Sequence, residues 1–306
     1  NTIPQDEKDQ GWDVAGPTWV GGERNGGGIW ETMAIDPDLG MLYAAVANPF
    51  GDSTKRAGSN LSTDSIIALS LADGKLKWYF QQTHHDVWDY DSGAPPTLFD
   101  MQVNGRRVRA VAEASKNGYL YILDRETGKP VHSVREMPVP TAGAGPGETP
   151  YPTQPIPFTA SGKPMEPVCP VVATEVPPAQ LEKFTVVPHF TPMGPGRIIA
   201  PGANGGANYA PVAYSPQTGL LYVAAIDFPY NIGRGAKGYF SAYDPTTGEL
   251  KWRQIFEGYG QAGPVVTAGG LAFVGTGSNL AGYFFAFDAK TGEQLWKFNT
   301  GSGVFS

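Results

Sequence analysis

Short apolar runs separated by turns rich in Asp, Thr and Gly recur along the chain, and three segments share one template. In residues 68–78, 242–252 and 286–296, a Gly stands six residues after an Ala and a Trp stands ten residues after it. Each segment indicates a strand, a tight turn and a second strand, which together form a β-hairpin. Residues 122–130 carry a fourth, degraded copy that lacks the Trp.

A second kind of hairpin alternates with the first. Residues 33–43 and 212–222 each place an Asp-Pro or Ser-Pro turn between two apolar runs. Trp252 and Trp296 are 44 residues apart, which is the length of one four-stranded propeller blade. The pattern therefore predicts a β-propeller in which Trp78, Trp252 and Trp296 dock between neighbouring blades.

The repeat pattern lapses between about residues 139 and 195, where Pro and Gly dominate. We interpret this stretch as a long insertion between blades that lies over one face of the fold. Residues 1–306 are accordingly predicted to form a single, partial propeller domain. A chain of this length can bury a sizeable core.

Composition supports an all-β fold and excludes several functions. The chain has 40 Gly, 28 Pro and 12% aromatic residues, but only 17% charged residues. It has no apolar run of 18 residues, so no membrane span is predicted. The net charge of −7 and the scattered Lys and Arg argue against nucleic acid as a partner. Cys169 is the only cysteine, which excludes an internal disulfide within this sequence.

Residues that could form a catalytic or metal-binding site are concentrated in the segment 83–91. It holds three carboxylates, two histidines and two aromatic residues. In an extended chain Asp89 and Asp91 share a face, and Asp86 faces away from Asp89. Two carboxylates on one side suit a hard cation, or a general base beside one. The alternative is a surface turn with solvated acids. His84 and His85 either line a pocket or make structural hydrogen bonds.

Together, the tandem hairpins and the His-Asp-Val-Trp-Asp-Tyr-Asp segment resemble the quinoprotein dehydrogenases that use pyrroloquinoline quinone (PQQ). The resemblance covers essentially the whole chain and several motifs in the same order. It implies an eight-bladed quinoprotein propeller with the cofactor and a metal on its central axis. Only part of the blades is present in this sequence. The family's glutamate metal ligand and vicinal disulfide belong to N-terminal blades that we do not find here.

The resemblance assigns roles to single residues. Trp30, in the sequence Gly-Gly-Gly-Ile-Trp, corresponds to the Trp on which the planar quinone lies. Asn48 corresponds to a metal-ligating Asn, although Ala47 replaces the usual Gly before it. Asp89 corresponds to the essential Asp, which accepts the substrate hydroxyl proton and also touches the metal.

Three further positions follow from the same resemblance. Lys116 corresponds to the basic residue that contacts the quinone carbonyls, and Asn208 to an Asn that hydrogen-bonds the cofactor. Asp91 stands where lanthanide-using members carry an additional Asp, but glucose-type relatives with a divalent ion also have an acid there. Ca²⁺ is therefore the expected metal, with a lanthanide or Mg²⁺ as alternatives.

The implied activity is oxidation of an alcohol or sugar hydroxyl, with hydride transfer to the quinone. Lys116 and the sequence after Asp91 are more similar to the glucose-type branch, which favours aldoses or polyols over methanol. Electrons would pass to a cytochrome c or to ubiquinone, and the expected location is the periplasm. The alternative function is a non-catalytic propeller scaffold, like the outer-membrane assembly lipoproteins that share the repeat hairpin. Trp30, Asn48, Asp89, Lys116 and Asn208 occurring together favour the enzyme.

Overall fold

Antiparallel hairpins dominate the structure, a computed structural model that describes residues 2–278 and 281–305. The chain opens with short helical turns, which are the α-helix α1 and a 3₁₀ turn: Trp12–Ala15 and Gly16–Thr18. The first sheet is four-stranded in the order β1-β2-β3-β4, with these strands: β1 Ala34–Asp36, β2 Met41–Val46, β3 Ser65–Ser70 and β4 Leu76–Gln81. A further 3₁₀ turn, Ser53–Lys55, lies between β2 and β3.

The middle of the chain forms a three-stranded sheet followed by irregular connections. The sheet consists of β5 Thr97–Val103, β6 Arg106–Ala114 and β7 Leu120–Asp124. The connections contain a hairpin, one helix and a short parallel pair: β8 Val134–Pro138, β9 Thr153–Pro157, α2 Pro178–Leu181, β10 Thr185–Val186 and β11 Arg197–Ile198. In the described residues both α-helices have four residues, so neither is long enough to cross a membrane.

Two four-stranded sheets complete the described chain, each with its strands in sequence order. The third sheet contains β12 Ala213–Ser215, β13 Leu220–Asp227, β14 Lys237–Asp244 and β15 Glu249–Glu257. The fourth contains β16 Val265–Val266, β17 Leu271–Ser278, β18 Ala281–Asp288 and β19 Gln294–Asn299. The predicted 44-residue unit thus corresponds to a four-stranded sheet.

The Ala and Trp of each repeat are direct partners across a strand pair. The pairs are Ala68 with Trp78, Ala242 with Trp252 and Ala286 with Trp296, and a register shift follows the Ala in every case. The ten-residue spacing from Ala to Trp therefore corresponds to a hairpin with one bulged residue.

Two of the repeat tryptophans dock on the turn of the following sheet, as predicted. Trp78 Nε1 donates to the carbonyl of Arg125 at 3.1 Å, and Trp252 Nε1 donates to that of Ala289 at 3.1 Å. Trp296 lies on β19, whose residues are all exposed, and is itself 47% exposed. For Trp296, docking between blades is thus not observed within the described residues.

Successive sheets pack face to face, so the core lies between them. Phe99 and Ala112 of the second sheet join Leu221 and Val223 of the third in one cluster. Similar clusters join the first sheet to the second and the third to the fourth. In the Pro-rich stretch, Ile156 and other apolar side chains pack against the 83–91 segment. This packing places the ends of several strands around that segment.

Candidate active site

A glycine run holds the chain close to Asn48. Gly27 N donates to the carbonyl of Asn48 at 3.0 Å, and Ala47 N donates to that of Gly28 at 2.8 Å. A Cβ atom on Gly26 would lie 2.4 Å from the Asn48 carbonyl oxygen, and Gly26 has φ +96°. Only glycine fits there without displacing the backbone. The Gly-Gly-Gly motif thus joins the end of β2 to the segment that carries Trp30.

Residues 83–91 form a buried loop, and this corrects two expectations. Asp86 and Asp91 are 1% and 5% exposed, so the alternative of a surface turn with solvated acids is wrong. The segment is not extended, because His85 and Asp89 have φ values of +47° and +69°. Strand alternation was therefore the wrong reason to place Asp89 and Asp91 together, although the structure does bring them together.

Asp86 faces into its own loop. Its carboxylate accepts hydrogen bonds from Trp88 N at 2.7 Å and from Tyr90 N at 2.6 Å. Short acidic side chains often stabilise turns through such bonds to the backbone. Burial raises the pKa of Asp86 to about 7, against the effect of these two bonds. Asp86 therefore organises the loop that carries Asp89.

Four of the predicted site residues meet in one cluster. Lys116 Nζ lies 3.0 Å from Asp89 Oδ2 and 2.5 Å from Asp91 Oδ2. Asn48 Nδ2 donates to Asp89 Oδ1 at 3.1 Å, and Asn48 N donates to Asp91 Oδ1 at 2.8 Å. We name Asn48, Asp89, Asp91 and Lys116 the polar cluster. Residues from two sheets and the intervening loop thus converge on one point.

The charges of the polar cluster support one another. Burial by itself would lower the pKa of Lys116, but Asp91 and Asp89 outweigh it, and the pKa is raised. Burial raises the pKa of Asp89, and the ammonium of Lys116 opposes that rise. Asp89 is the accessible member, since its side chain is 44% exposed whereas those of Lys116 and Asp91 are 7% exposed. Within the polar cluster, Asp89 is therefore the carboxylate that is open to solvent.

Trp30 lies beside the polar cluster with much of its ring uncovered. It is 45% exposed. A Cβ atom on Gly93 would lie 2.7 Å from Trp30 Cζ2 and 3.6 Å from Asp91 Cβ. Gly93 therefore lets the indole approach the loop of Asp91 while much of the aromatic ring stays exposed. A planar quinone needs such a surface for stacking.

Asn208 is held near the polar cluster by its backbone, but its side chain points to its own loop. Gly206 N donates to the carbonyl of Lys116 at 2.8 Å, and Ala207 N donates to that of Ser115 at 3.2 Å. Asn208 Nδ2 donates to the carbonyl of Asn204 at 3.0 Å. The cofactor-binding role of Asn208 stays a prediction.

The two histidines make hydrogen bonds away from the polar cluster. The ring of His84 bonds Gln81 Oε1 at 2.7 Å and Glu136 Oε1 at 3.1 Å. His85 Nδ1 lies 3.2 Å from the carbonyl of Gly58, and burial lowers the pKa of His85 to about 4. These contacts favour the structural role for both.

The donor atoms of the polar cluster fit a cation. Two carboxylates already converge on one positive charge, and an amide side chain borders them. Across the described chain, no three His, Cys, Asp or Glu side chains gather at metal-binding spacing. A Ca²⁺ ion takes six to eight oxygen ligands, so Asn48, Asp89 and Asp91 would supply only part of its shell.

Comparison with known proteins places this chain in a family. Residues 2–234 match the family model described as the β-propeller domain of PQQ-using glucose, ethanol and alcohol dehydrogenases. The chain belongs to this family. Residues 236–306 match the model described as outer membrane protein assembly factor BamB, in line with the hairpin repeat shared by both groups.

Similar proteins of the PQQ family are dehydrogenases by name. The chain is 34% identical over 208 residues to the glycerol dehydrogenase large subunit of Gluconobacter thailandicus, covering 63% of this chain and 28% of that protein. It is 30% identical to the quinoprotein alcohol dehydrogenase PedH of Pseudomonas putida, covering 95% of this chain and 48% of that protein. The chain thus spans about half or less of these relatives.

Solved structures confirm the predicted partial quinoprotein propeller. The quinohemoprotein alcohol dehydrogenase from Comamonas testosteroni superposes with a TM-score of 0.71 at 26% identity, covering 97% of this chain and 45% of that one. A europium-containing methanol dehydrogenase gives a TM-score of 0.67 at 29% identity, covering 96% and 50%.

Sequence reasoning missed several residues that support the site in this member of the PQQ family. Glu113 is completely buried near the end of β6, where an acid among small apolar residues was a usable signal. Tyr230 donates to the carbonyl of Trp88 at 3.4 Å, and burial, with the charge of Asp89, raises its pKa to about 12. No sequence signal linked Tyr230 to a loop 142 residues away.

Proposed function

We propose that the protein containing this chain oxidises the hydroxyl group of a small alcohol, polyol or sugar with PQQ as cofactor. One observation carries this proposal. Asn48, Asp89 and Asp91 converge beside Lys116, next to the exposed ring of Trp30. A base, a cation site, a buried ammonium and a stacking surface are what hydroxyl oxidation on a quinone requires.

Asp89 is the proposed general base. It is the accessible carboxylate of the polar cluster, and its contact with Lys116 favours the ionised form that accepts a proton. Asn48 fixes the other oxygen of this carboxylate through a hydrogen bond of 3.1 Å. Asp89 would thus remove the proton of the substrate hydroxyl from a defined direction.

Asn48, Asp89 and Asp91 would hold the metal, for which Ca²⁺ is our proposal and a lanthanide or Mg²⁺ the alternative. PQQ bound here would supply the hydride acceptor, and a metal held by these residues would supply Lewis acidity. Lys116 would stabilise negative charge near the quinone oxygens, because a buried ammonium acts strongly in a low dielectric. Trp30 would form the floor beneath the ring, and Asn208 would hydrogen-bond its edge.

A neighbouring cavity offers room for a small substrate. It has a volume of about 350 Å³ and is lined in part by Asn204, Phe228, Tyr230 and Arg234. Tyr230 links this cavity to the loop of Asp89 through the carbonyl of Trp88. Mixed aromatic and polar walls suit a polyol or a small sugar, as does the similarity to a glycerol dehydrogenase. Electrons would leave to a cytochrome c or ubiquinone, in the periplasm.

The test is cofactor retention by the full-length protein that contains this chain. Protein incubated with PQQ and Ca²⁺, then desalted, should keep a quinone absorbance and oxidise glycerol, ethanol or glucose. A Trp30→Ala variant should lose the absorbance, whereas Trp296→Ala, which removes another exposed Trp, should keep it. Absence of bound quinone in the parent protein would instead favour the scaffold function.

A further inference from the structure

A buried glutamate is connected to the loop of the polar cluster through one amide side chain. Glu113, Gln82 and Ser92 are each at most 1% exposed. Gln82 Nε2 donates to Glu113 Oε2, and Ser92 Oγ donates to Gln82 Oε1. Ser92 directly follows Asp91. Three side chains thus form a continuous hydrogen-bonded path from Glu113 to the neighbour of Asp91.

Other hydrogen bonds hold the heavy atoms of this path in place. Ala94 N donates to Glu113 Oε1 at 3.2 Å. The carbonyl of Gln82 accepts from Asn117 Nδ2 at 2.9 Å and from Tyr121 OH at 3.2 Å. Because Glu113 and the backbone of Gln82 are held in this way, a change in protonation is passed on through the amide of Gln82 to Ser92.

The direction of the hydrogen bonds depends on the charge of Glu113. When Glu113 is ionised it only accepts, so Gln82 turns its amino group to Glu113 and its oxygen to the Ser92 hydroxyl. When Glu113 is neutral its O–H donates to the oxygen of Gln82. The amide is then reversed, its amino group faces Ser92 Oγ, and the Ser92 hydroxyl is free to donate elsewhere.

We propose that Glu113 is a positioning residue whose protonation state, passed on through Gln82, sets the hydrogen bonding of Ser92 and thereby the position of the Asp91 and Asp89 carboxylates. This role in turnover presupposes the proposed function. The reversal of the hydrogen bonds does not, since it depends only on residues behind the site. Ser115 Oγ and Lys116 N both donate to the carbonyl of Asp91, so a shift at Ser92 acts on a segment tied to the polar cluster.

The charge of Glu113 changes within an accessible pH range. Burial raises its pKa to about 8; Gln82 and the amides of Ala94 and Gly93 oppose the rise, and the charge of Asp91 adds to it. Glu113 is therefore neutral below this pH and ionised above it.

Two titratable neighbours of Glu113, Tyr121 and Lys116, keep one charge state over this range. Tyr121 is its cross-strand partner on β7, and burial holds the pKa of Tyr121 well above its usual value. The charge of Asp91, in the loop after β4, acts on Glu113, and Asp91 is itself paired with Lys116. Lys116 follows β6, and its pKa is raised.

Infrared titration of the quinone- and Ca²⁺-loaded full-length protein tests the proton itself. A carboxylic acid C=O band should disappear with a midpoint near pH 8, above that of the Asp86 carboxyl, whose pKa is raised to about 7. The band should be missing from Glu113→Gln and retained in Glu182→Gln, which removes a carboxyl at an exposed position. Ser92→Ala should keep the band but shift its midpoint, because the hydroxyl that donates to Gln82 is lost.

The pH profile of kcat tests the positioning role. The parent and Glu182→Gln should show a step over the range in which the band disappears. Glu113→Gln should lack that step, because an amide is neutral at every pH, and Ser92→Ala should lack it because the path is broken. Identical steps near pH 8 in all four proteins would overturn the proposal, as would an infrared band with a midpoint near pH 8 that survives Glu113→Gln.

Two further outcomes separate this proposal from the proposed function. If Glu113→Gln does not fold, Ser92→Ala carries the test, since it removes one oxygen and no charge. A parent protein that retains no quinone contradicts the proposed function, while a midpoint that shifts in Ser92→Ala still supports the hydrogen-bonded path. Turnover with an unchanged midpoint in Ser92→Ala contradicts the path and leaves the proposed function standing.

Discussion

At the scale of single residues, the two carboxylates that share Lys116 differ in accessibility. The side chain of Asp91 is 7% exposed and that of Asp89 is 44% exposed. A buried carboxylate with an ammonium partner is suited to holding charge, and an accessible one to exchanging a proton with a substrate. Lys116 thus pairs with one carboxylate that is suited to holding charge, Asp91, and with one that is suited to exchanging a proton, Asp89.

The role of Asp89 predicts a loss of rate with retained folding. Asp89→Asn replaces the base by an amide of nearly the same shape that cannot accept the proton, so kcat should fall by about 10²–10⁴-fold. Steady-state kinetics with the full-length holoenzyme measure this. Asp38→Asn, at an exposed turn position, should leave kcat unchanged. Turnover of Asp89→Asn within a few-fold of the parent would show that another group is the base.

The role of Asp91 predicts a choice of metal. A carboxylate added to the ligand set favours a trivalent ion, because affinity for hard cations follows the charge of the oxygen ligands. Here, however, Asp91 is already neutralised by Lys116, so Ca²⁺ should restore activity to metal-free full-length enzyme. Parallel reconstitution with Ca²⁺ and La³⁺, in the parent and in Asp91→Ala, checks this. Activity with La³⁺ alone, lost in Asp91→Ala, would show that the metal is a lanthanide.

At the scale of elements, the sheets are joined by tryptophans that pack on the tight turns of the next hairpin. A Cβ atom on Gly128 would lie 2.6 Å from the ring of Trp78, and one on Gly292 would lie 2.5 Å from the ring of Trp252. Both glycines also have positive φ values, +70° and +74°. The Gly of the repeat therefore serves the turn and the contact between sheets at once.

A matched pair of substitutions separates these two roles. Gly128→Ala and Gly105→Ala occur at similar φ values, +70° and +76°, but Gly105 has no atom within 4 Å of an added Cβ. Both should lose about 1–2 kcal/mol from backbone strain. Gly128→Ala should lose about 1–3 kcal/mol more, because its methyl group displaces Trp78. Urea unfolding measures both; equal losses would mean that the Trp contact adds nothing.

At the scale of the whole molecule, buried acids make stability depend on pH. Burial raises the pKa of Asp86 to about 7 and that of Glu113 to about 8, from usual values of 3.8 and 4.5. A group with a raised pKa in the folded state gives its full stability below its unfolded pKa and loses it as the pH rises through the folded pKa. The free energy of unfolding should therefore fall between about pH 4 and pH 8.

Denaturant unfolding at several pH values measures how steeply the free energy of unfolding falls with pH. The slope reaches about 1.4 kcal/mol per pH unit for each group. Glu113→Gln should flatten the slope between about pH 5 and pH 8, because the amide does not ionise in either state. The exposed Glu182→Gln should leave it unchanged. A slope of equal size in both variants would show that Glu113 does not account for it.

Much of the fold was predictable because the hairpin repeat is local. Ala68 and Trp78 are partners across one strand pair with a single bulge. The number of residues between them in the sequence therefore indicates the hairpin directly. The same holds for Ala242 and Trp252. Blade length and fold class follow from such spacings.

The predicted site residues vary in how far local sequence could place them. The segment that carries Trp30 starts beside Asn48 because a glycine run pairs with the end of β2, a motif that the sequence shows. Asp89 and Asp91 come together through a loop with positive φ values, which strand alternation does not describe. Lys116 reaches them from the turn after β6, across 27 residues of sequence.

By itself, the sequence determined the hairpins and their repetition, because these depend on neighbours within about ten positions. The members of the polar cluster were expected from the family resemblance. Only the tertiary structure decided which acid is accessible, which one organises its loop and which one lies behind the site. Asp89 and Glu113 find their partners, Lys116 and Gln82, in other segments of the chain, whereas Asp86 is bound by amides of its own loop. Burial and hydrogen bonding set the pKa of a carboxyl group, so its role is decided by packing.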